Sequence, residues 1–194
     1  MTKRREGSAG GFSLIELLVV LVLLGIVGSV VVGGLARGLR ADNEAQARIE
    51  AFEDMQIALE RISRDVRAAS TPLVDTVLDE DGEWLQLHVL RDDRCTRVVY
   101  WVDAEDDLRV EEAQAASEAC DSFGASSERI LVPDIASPTV FTFERDQYET
   151  VDGELVREPA SSASEIRFVT ISLTREPFGH PATVRTVVGL RNAT

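Results

Sequence analysis

The chain has 194 residues, 34 of them acidic and 20 basic, and its net charge is −14 at pH 7. Three of the basic and two of the acidic residues precede residue 37, so the remainder carries a net charge of −15. So acidic a segment lacks the positive surface with which proteins hold nucleic acid, and we expect no direct nucleic-acid binding. The length allows one modest domain together with a membrane element.

The first predicted element is a membrane-spanning helix from Phe12 to Ala36. Among these 25 residues only Glu16 is ionisable. A helix of that length measures about 37 Å, enough to cross a hydrocarbon core of about 30 Å. The basic residues Lys3, Arg4 and Arg5 precede the span. Since basic flanks resist translocation, we expect the N-terminus in the cytoplasm and the rest of the chain on the far side of the membrane.

The helical pattern continues beyond the span, because apolar residues recur at spacings of three and four. This stripe consists of Ala45, Ile49, Phe52, Met55, Leu59, Ile62, Val66 and Ala69. Charged residues, Asp65 among them, lie between these positions and predict a polar face. We therefore predict one nearly continuous helix from about Phe12 to about Ala69, with bending or local melting near Gly33 and Gly34.

The C-terminal part of the chain is rich in β-branched and aromatic residues and predicts strands separated by turns. The predicted strands are Trp84–Leu90, Cys95–Val102, Thr139–Glu144, Glu165–Thr174 and Thr183–Leu190. The acidic, Ala- and Ser-rich stretch Glu111–Ser127 predicts a surface excursion that Cys120 pins. An antiparallel sheet that covers the apolar stripe of the helix would give an α+β fold.

Cys95 and Cys120 are the two cysteines. In an exported domain they are expected to form a disulfide, worth about 3–4 kcal/mol in the chain-entropy model; two buried thiols are the alternative. His88 and His180 have no cysteine or carboxylate at ligand spacing, so no metal site is predicted. We expect no cofactor. If calcium binds, we expect it at the acidic turns of residues 79–83 and 103–107.

Glu16 is the informative residue of the span, because an ionised carboxylate in hydrocarbon costs a few kcal/mol and usually has a partner. One interpretation is that Glu16 lies close enough to the interface to be hydrated. In the other, the chain is cut between Gly11 and Phe12, and the new α-ammonium group of Phe12 neutralises Glu16 of a neighbouring subunit.

The segment Gly11-Phe12-Ser13-Leu14-Ile15-Glu16, after a basic leader and before a long apolar helix, resembles the class III signal of type IV pilins and type II secretion pseudopilins. The resemblance implies a pilin-like fold, with the long helix packed on an antiparallel β-sheet head. It also implies that prepilin peptidase cleaves after Gly11 and N-methylates Phe12. Glu16 is then the assembly carboxylate that guides docking into a filament.

Three later segments resemble the J-type minor pseudopilins and the W-type minor pilins. These segments are Ala58–Ser70, Arg97–Val110 and Val184–Asn192. Cys120 lies well inside the chain, whereas the disulfide of major pilins pins a loop near the C-terminus, so a minor subunit fits better. The expected partners are prepilin peptidase, other major and minor subunits, the inner-membrane assembly platform and, before assembly, membrane lipid.

We therefore interpret the chain as a structural and assembly subunit rather than an enzyme. The predicted divisions are a leader peptide at 1–11, a membrane and filament-core helix at 12–36, an amphipathic helix at 37–70 and a β-rich extracytoplasmic head at 71–194. Two alternatives stay open. In one, the span only tethers an extracytoplasmic binding module; in the other, a conventional signal peptidase cuts near Gly34-Leu35-Ala36 and releases a chain that begins near Arg37.

Overall fold

The structure of the chain is a computed structural model. It describes residues 14–69, 84–91, 94–116, 120, 122–137, 139–152, 154–160, 162 and 165–190. The predicted leader, Gly11 and Phe12 lie outside these residues, as does the acidic turn at 79–83.

One helix, α1, runs from Leu14 to Ala68 and agrees with the predicted element. It stays helical at Gly33 and Gly34, so the local melting predicted there is wrong. Each glycine costs a helix about 1 kcal/mol, but propagation through the long apolar runs on both sides is cooperative and outweighs that cost.

The chain divides into two compact units, the first ending at Ala45 and the second beginning at Gln46. In the first unit every large apolar side chain from Leu14 to Leu39 is exposed. This part of α1 is long and apolar enough to span a membrane, and none of the apolar window is buried. So much apolar surface is unfavourable in water and needs lipid or other protein to cover it.

The described residues of the second unit form eight strands in addition to the end of α1. They are β1 (Trp84–Arg91), β2 (Arg94–Val102), β3 (Leu108–Ala115), β4 (Phe123–Val132), β5 (Phe141–Val151), β6 (Glu154–Pro159), β7 (Phe168–Arg175) and β8 (Ala182–Gly189). They form two four-stranded sheets with the orders β1-β2-β3-β4 and β6-β5-β7-β8. All paired strands are antiparallel.

The core of the second unit lies between the last turns of α1 and the two sheets. Alternate residues of β1 and β2 point into it, as expected of half-buried strands. The helix supplies Met55, Ala58, Leu59, Ile62 and Val66, and Ala69 directly after it and both sheets contribute to the same cluster. The predicted α+β, pilin-like architecture, with an N-terminal helix packed on an antiparallel β-region, is therefore confirmed.

Several details of the prediction are wrong. The stretch Glu111–Ser127 is not a surface excursion, because it contains the end of β3 and the start of β4. Most of β4 is exposed at a sheet edge, so it needs few apolar residues and its composition resembles that of a loop. The strands β3, β4 and β6 were not predicted, and the described head has two sheets rather than one.

The buried face of α1 differs from the predicted apolar stripe in two respects. Ile49 and Phe52 remain 52% and 41% exposed, because the buried face of the helix begins only at Ala51 and Met55. Asp65, expected on the polar face, is only 3% exposed. It lies three residues after Ile62 and one before Val66, which places it within the apolar arc of the helix.

Candidate functional site

Glu16 lies in the first turn of α1. Leu14, Ile15, Leu17 and Leu18 around it are all exposed. The structure therefore presents one carboxylate within an otherwise apolar surface at the beginning of the helix. The other two residues of the predicted processing and assembly set, Gly11 and Phe12, lie outside the described residues.

A polar network that the sequence analysis missed joins the end of α1 to the first sheet. Both oxygens of buried Asp65 accept hydrogen bonds, Oδ2 from the Tyr100 hydroxyl at 2.5 Å and Oδ1 from Arg91 Nη2 at 2.7 Å. Arg91 also pairs with Glu112, which in turn lies 3.0 Å from Arg61 Nη2. We call these five residues the Asp65 network. Its two arginines and two carboxylates balance in charge and link α1 to β1, β2 and β3.

The protonation states of the Asp65 network follow from its burial and its charges. Burial raises the pKa of Tyr100 far above its ordinary value, and the adjacent Asp65 carboxylate raises it further. The phenol therefore stays protonated and donates to Asp65. Burial alone would also raise the pKa of Glu112, but the hydrogen bond from Arg91 and the charges of Arg61 and Arg91 outweigh it, so the pKa of Glu112 lies below its ordinary value.

A lowered folded-state pKa predicts how acid acts on the network. The unfolded chain protonates Glu112 near pH 4.5, above the folded-state pKa, so the contribution of Glu112 to stability is complete above pH 4.5 and is lost as the pH falls below it. We expect wild type to be more stable than Glu112→Gln at pH 7, and the difference to shrink as the pH falls from 4.5. Urea unfolding of both proteins across that range measures it. Glu149→Gln, which alters an exposed glutamate of β5, is the control. A difference in stability between wild type and Glu112→Gln that is as large at pH 3 as at pH 7 would contradict the prediction.

Cys95 and Cys120 form a disulfide, the pairing expected from the sequence, with their Cα atoms 5.5 Å apart. His88 lies beside them, and one ring nitrogen and the two sulfurs lie within 4.8 Å of one another. The ring of His88 also lies 5.3 Å from that of Phe123. His88 has no cysteine or carboxylate at ligand spacing in the sequence, but the antiparallel pairing of β1 with β2 brings His88 and Cys95 to one face of the sheet.

The described acidic turn, Asp103–Asp107, uses its first carboxylate to close the turn. Asp103 Oδ1 accepts the N–H groups of Glu105 at 3.0 Å and Asp107 at 2.8 Å, while Oδ2 pairs with Arg109. Partial desolvation alone would raise the pKa of Asp103, but these backbone and side-chain hydrogen bonds bring it below its ordinary value. The contacts of Asp103 are thus those of a turn cap.

Two grooves follow the part of α1 that belongs to the second unit. One, of about 700 Å³, lies between the last turns of the helix and Thr186 of β8. The other, of about 650 Å³, is lined by exposed Ile49 and Phe52 of α1 together with His180 and Pro181. The second groove leaves apolar helix surface open beside the segment that leads into β8.

The comparison with known families decides how the N-terminal site is interpreted. A family model described as the prokaryotic N-terminal methylation motif matches residues 8–32. The chain carries a prepilin-type signal. The match includes Gly11, Phe12 and Glu16 and covers the first part of α1. No curated protein and no solved structure matches the chain.

The prepilin-type signal gives the exposed apolar part of α1 a role. Such a signal marks a substrate of prepilin peptidase and a pilin-type structural protein, and it implies assembly with other pilins. Together with a helix that can span a bilayer, it indicates a single-pass membrane anchor at the N-terminus. The match thus supports the interpretation of the segment as a type IV pilin-like signal.

Proposed function

We propose that the chain is a minor pilin or pseudopilin, a structural subunit of a type IV pilus-like or type II secretion filament. The match of residues 8–32 to the N-terminal methylation motif carries this proposal. The segments that resemble J-type pseudopilins and W-type minor pilins favour a minor subunit. On this proposal the chain has no catalytic activity of its own and is moved by the assembly platform of the inner membrane.

The proposed maturation follows from the divisions of the sequence. Residues 1–11 form a cytoplasmic leader, and residues 12–36 cross the inner membrane with the head outside. After cleavage, the helix leaves the lipid and packs with other subunits in the filament core. Both environments cover the apolar surface that the first unit exposes, so the transfer keeps that surface out of water.

Glu16 is the residue that we assign to assembly. Glu16 follows by four residues the position Phe12, at which cleavage after Gly11 would create an α-ammonium group. An ammonium and a carboxylate that enter a low-dielectric filament core together compensate each other, whereas either alone is penalised. The remaining residues 37–70 carry the chain into the head, and the exposed apolar residues Ile49 and Phe52 give the head a surface for neighbouring subunits.

Processing tests the proposal directly. Co-expression with a prepilin peptidase is expected to shorten the chain by residues 1–11, and Gly11→Leu is expected to block the shortening, because glycine lets the backbone enter the protease site without a side chain. Gly10→Ala is the matched control and should still be cleaved. The masses of the purified chains report the result. A chain whose mass does not change with the peptidase would contradict the proposal, and a pure tether predicts that outcome.

A further inference from the structure

The pairing of β1 and β2 places a histidine beside the disulfide. Leu90 is opposite Cys95 and His88 is opposite Arg97, so these four residues share one face of the sheet, with His88 and Cys95 diagonal to each other. Cys120 reaches the same face through its bond to Cys95. Among the described residues, this is the one group of three possible metal ligands whose ligand atoms lie within 4.8 Å of one another.

We propose that Cys95, Cys120 and His88 form a binding site for a thiophilic d10 cation such as Zn²⁺ when the disulfide is reduced. Zinc takes thiolate sulfur at about 2.3 Å and imidazole nitrogen at about 2.0 Å, in tetrahedral geometry. Two zinc-bound sulfurs lie about 3.7 Å apart, so the sulfurs must separate once their bond is broken. Rotation of the Cys120 side chain can supply this movement, because Cys120 is exposed whereas Cys95 is buried.

The surroundings favour a site with one open position. Cys95 is buried and His88 is half-buried, which holds two ligands in place, while Cys120 faces solvent. The fourth zinc position is then open to water. Arg97, the nearest cation on this face, pairs with Glu111 at 3.1 Å and lies over the ring of Phe123, so its charge has a partner. Two thiolates also neutralise the dication.

The metal and the disulfide exclude each other, since both use the same two sulfurs. A dithiol reductant would give two electrons and two protons to the disulfide, which leaves two cysteine thiols and converts the reductant to its own disulfide. Zinc then displaces the two thiol protons to solvent, and neutral His88 supplies the third ligand. An exported chain arrives with reduced cysteines, so the site would be available before oxidation closes it.

Cobalt binding to the full chain in detergent tests the site. After reduction with a phosphine, which is then removed without air, one equivalent of Co²⁺ is expected to give a thiolate-to-cobalt charge-transfer band and the strong visible bands of tetrahedral cobalt. Zn²⁺ should displace the cobalt and remove both signals. The oxidised chain should give neither. A reduced chain without the charge-transfer band would overturn the proposal.

The variants separate the histidine from the cysteines. His88→Ala and His88→Gln are expected to weaken cobalt binding at least about tenfold, and Cys95→Ser should abolish the charge-transfer band. His180→Ala, which removes the exposed second histidine, is the matched control and should bind as wild type does. Urea-unfolding midpoints of the oxidised His88 variants that equal that of wild type would show that both fold. If both then bind cobalt as tightly as wild type, His88 is not a ligand and the proposed site is wrong.

Discussion

Replacement of Glu16 with Gln is expected to reduce incorporation of the chain into filaments at least about tenfold. The carboxylate is the single ionisable group between Phe12 and Ala36. In the filament core it compensates the α-ammonium group of Phe12, and an unpaired ammonium in such surroundings costs several kcal/mol. Glutamine keeps the size of the side chain but not its charge. The ratio of the subunit in sheared filaments to that left in the membrane measures the effect.

Glu44→Gln is the matched control for this experiment, because Glu44 is an exposed glutamate of α1 beyond the apolar segment. Its incorporation should equal that of wild type. Both variants should reach the membrane in equal amounts, since neither alters the apolar run. Equal incorporation of Glu16→Gln and wild type would favour a Glu16 that is merely hydrated at the interface, and would contradict its role in assembly.

Asp65→Ala is expected to lower the free energy of unfolding of the head by about 2–4 kcal/mol. The substitution leaves the Tyr100 hydroxyl without its acceptor and removes one of the two carboxylates that Arg91 contacts. The cost is large because Asp65 is buried, and it stays below that of a fully enclosed pair because Arg91 is partly exposed. Urea unfolding of the oxidised chain, followed by the fluorescence of Trp84 and Trp101, measures it.

Asp54→Ala serves as the comparison, because Asp54 also lies on α1 and contacts an arginine, Arg175 at 3.4 Å, but is half exposed. Its loss should cost less than about 1 kcal/mol, as for other exposed ion pairs. The loss in free energy of unfolding caused by Asp65→Asn should lie between those caused by Asp54→Ala and Asp65→Ala. The amide oxygen of asparagine still accepts a hydrogen bond from Tyr100 but carries no charge. If Asp65→Ala is no more destabilising than Asp54→Ala, the Asp65 network does not hold α1 to the first sheet.

Local patterns of the sequence predicted the helix and most of the strands, because an element that buries one face has apolar residues at a regular spacing along the sequence. The stripe from Met55 to Ala69 is buried as its spacing of three and four requires. The strands β3, β4 and β6 escaped prediction. β4 and β6 lie at exposed edges and show no apolar alternation, and β3 carries charged residues at several positions. Division into two sheets depends on β4 and β5 not pairing with each other, which no local pattern encodes.

The candidate sites were predictable to different degrees for similar reasons. The N-terminal signal is a contiguous motif and could be recognised from its residues alone. Asp65 could have been placed on the buried face from its position between Ile62 and Val66, but its partners Arg91 and Tyr100 come from other strands. The proximity of His88 and Cys95 follows from a hairpin register that the turn between β1 and β2 allows, whereas that of Cys120 required the fold.

Mass spectrometry of the N-terminal peptide, from the chain isolated from its native membrane, tests whether the chain is processed after Gly11. We expect a mature chain that begins with N-methylated Phe12 and lacks residues 1–11. A chain that still begins with Met1, or one that begins near Arg37, would contradict processing after Gly11 and with it the role proposed for Glu16.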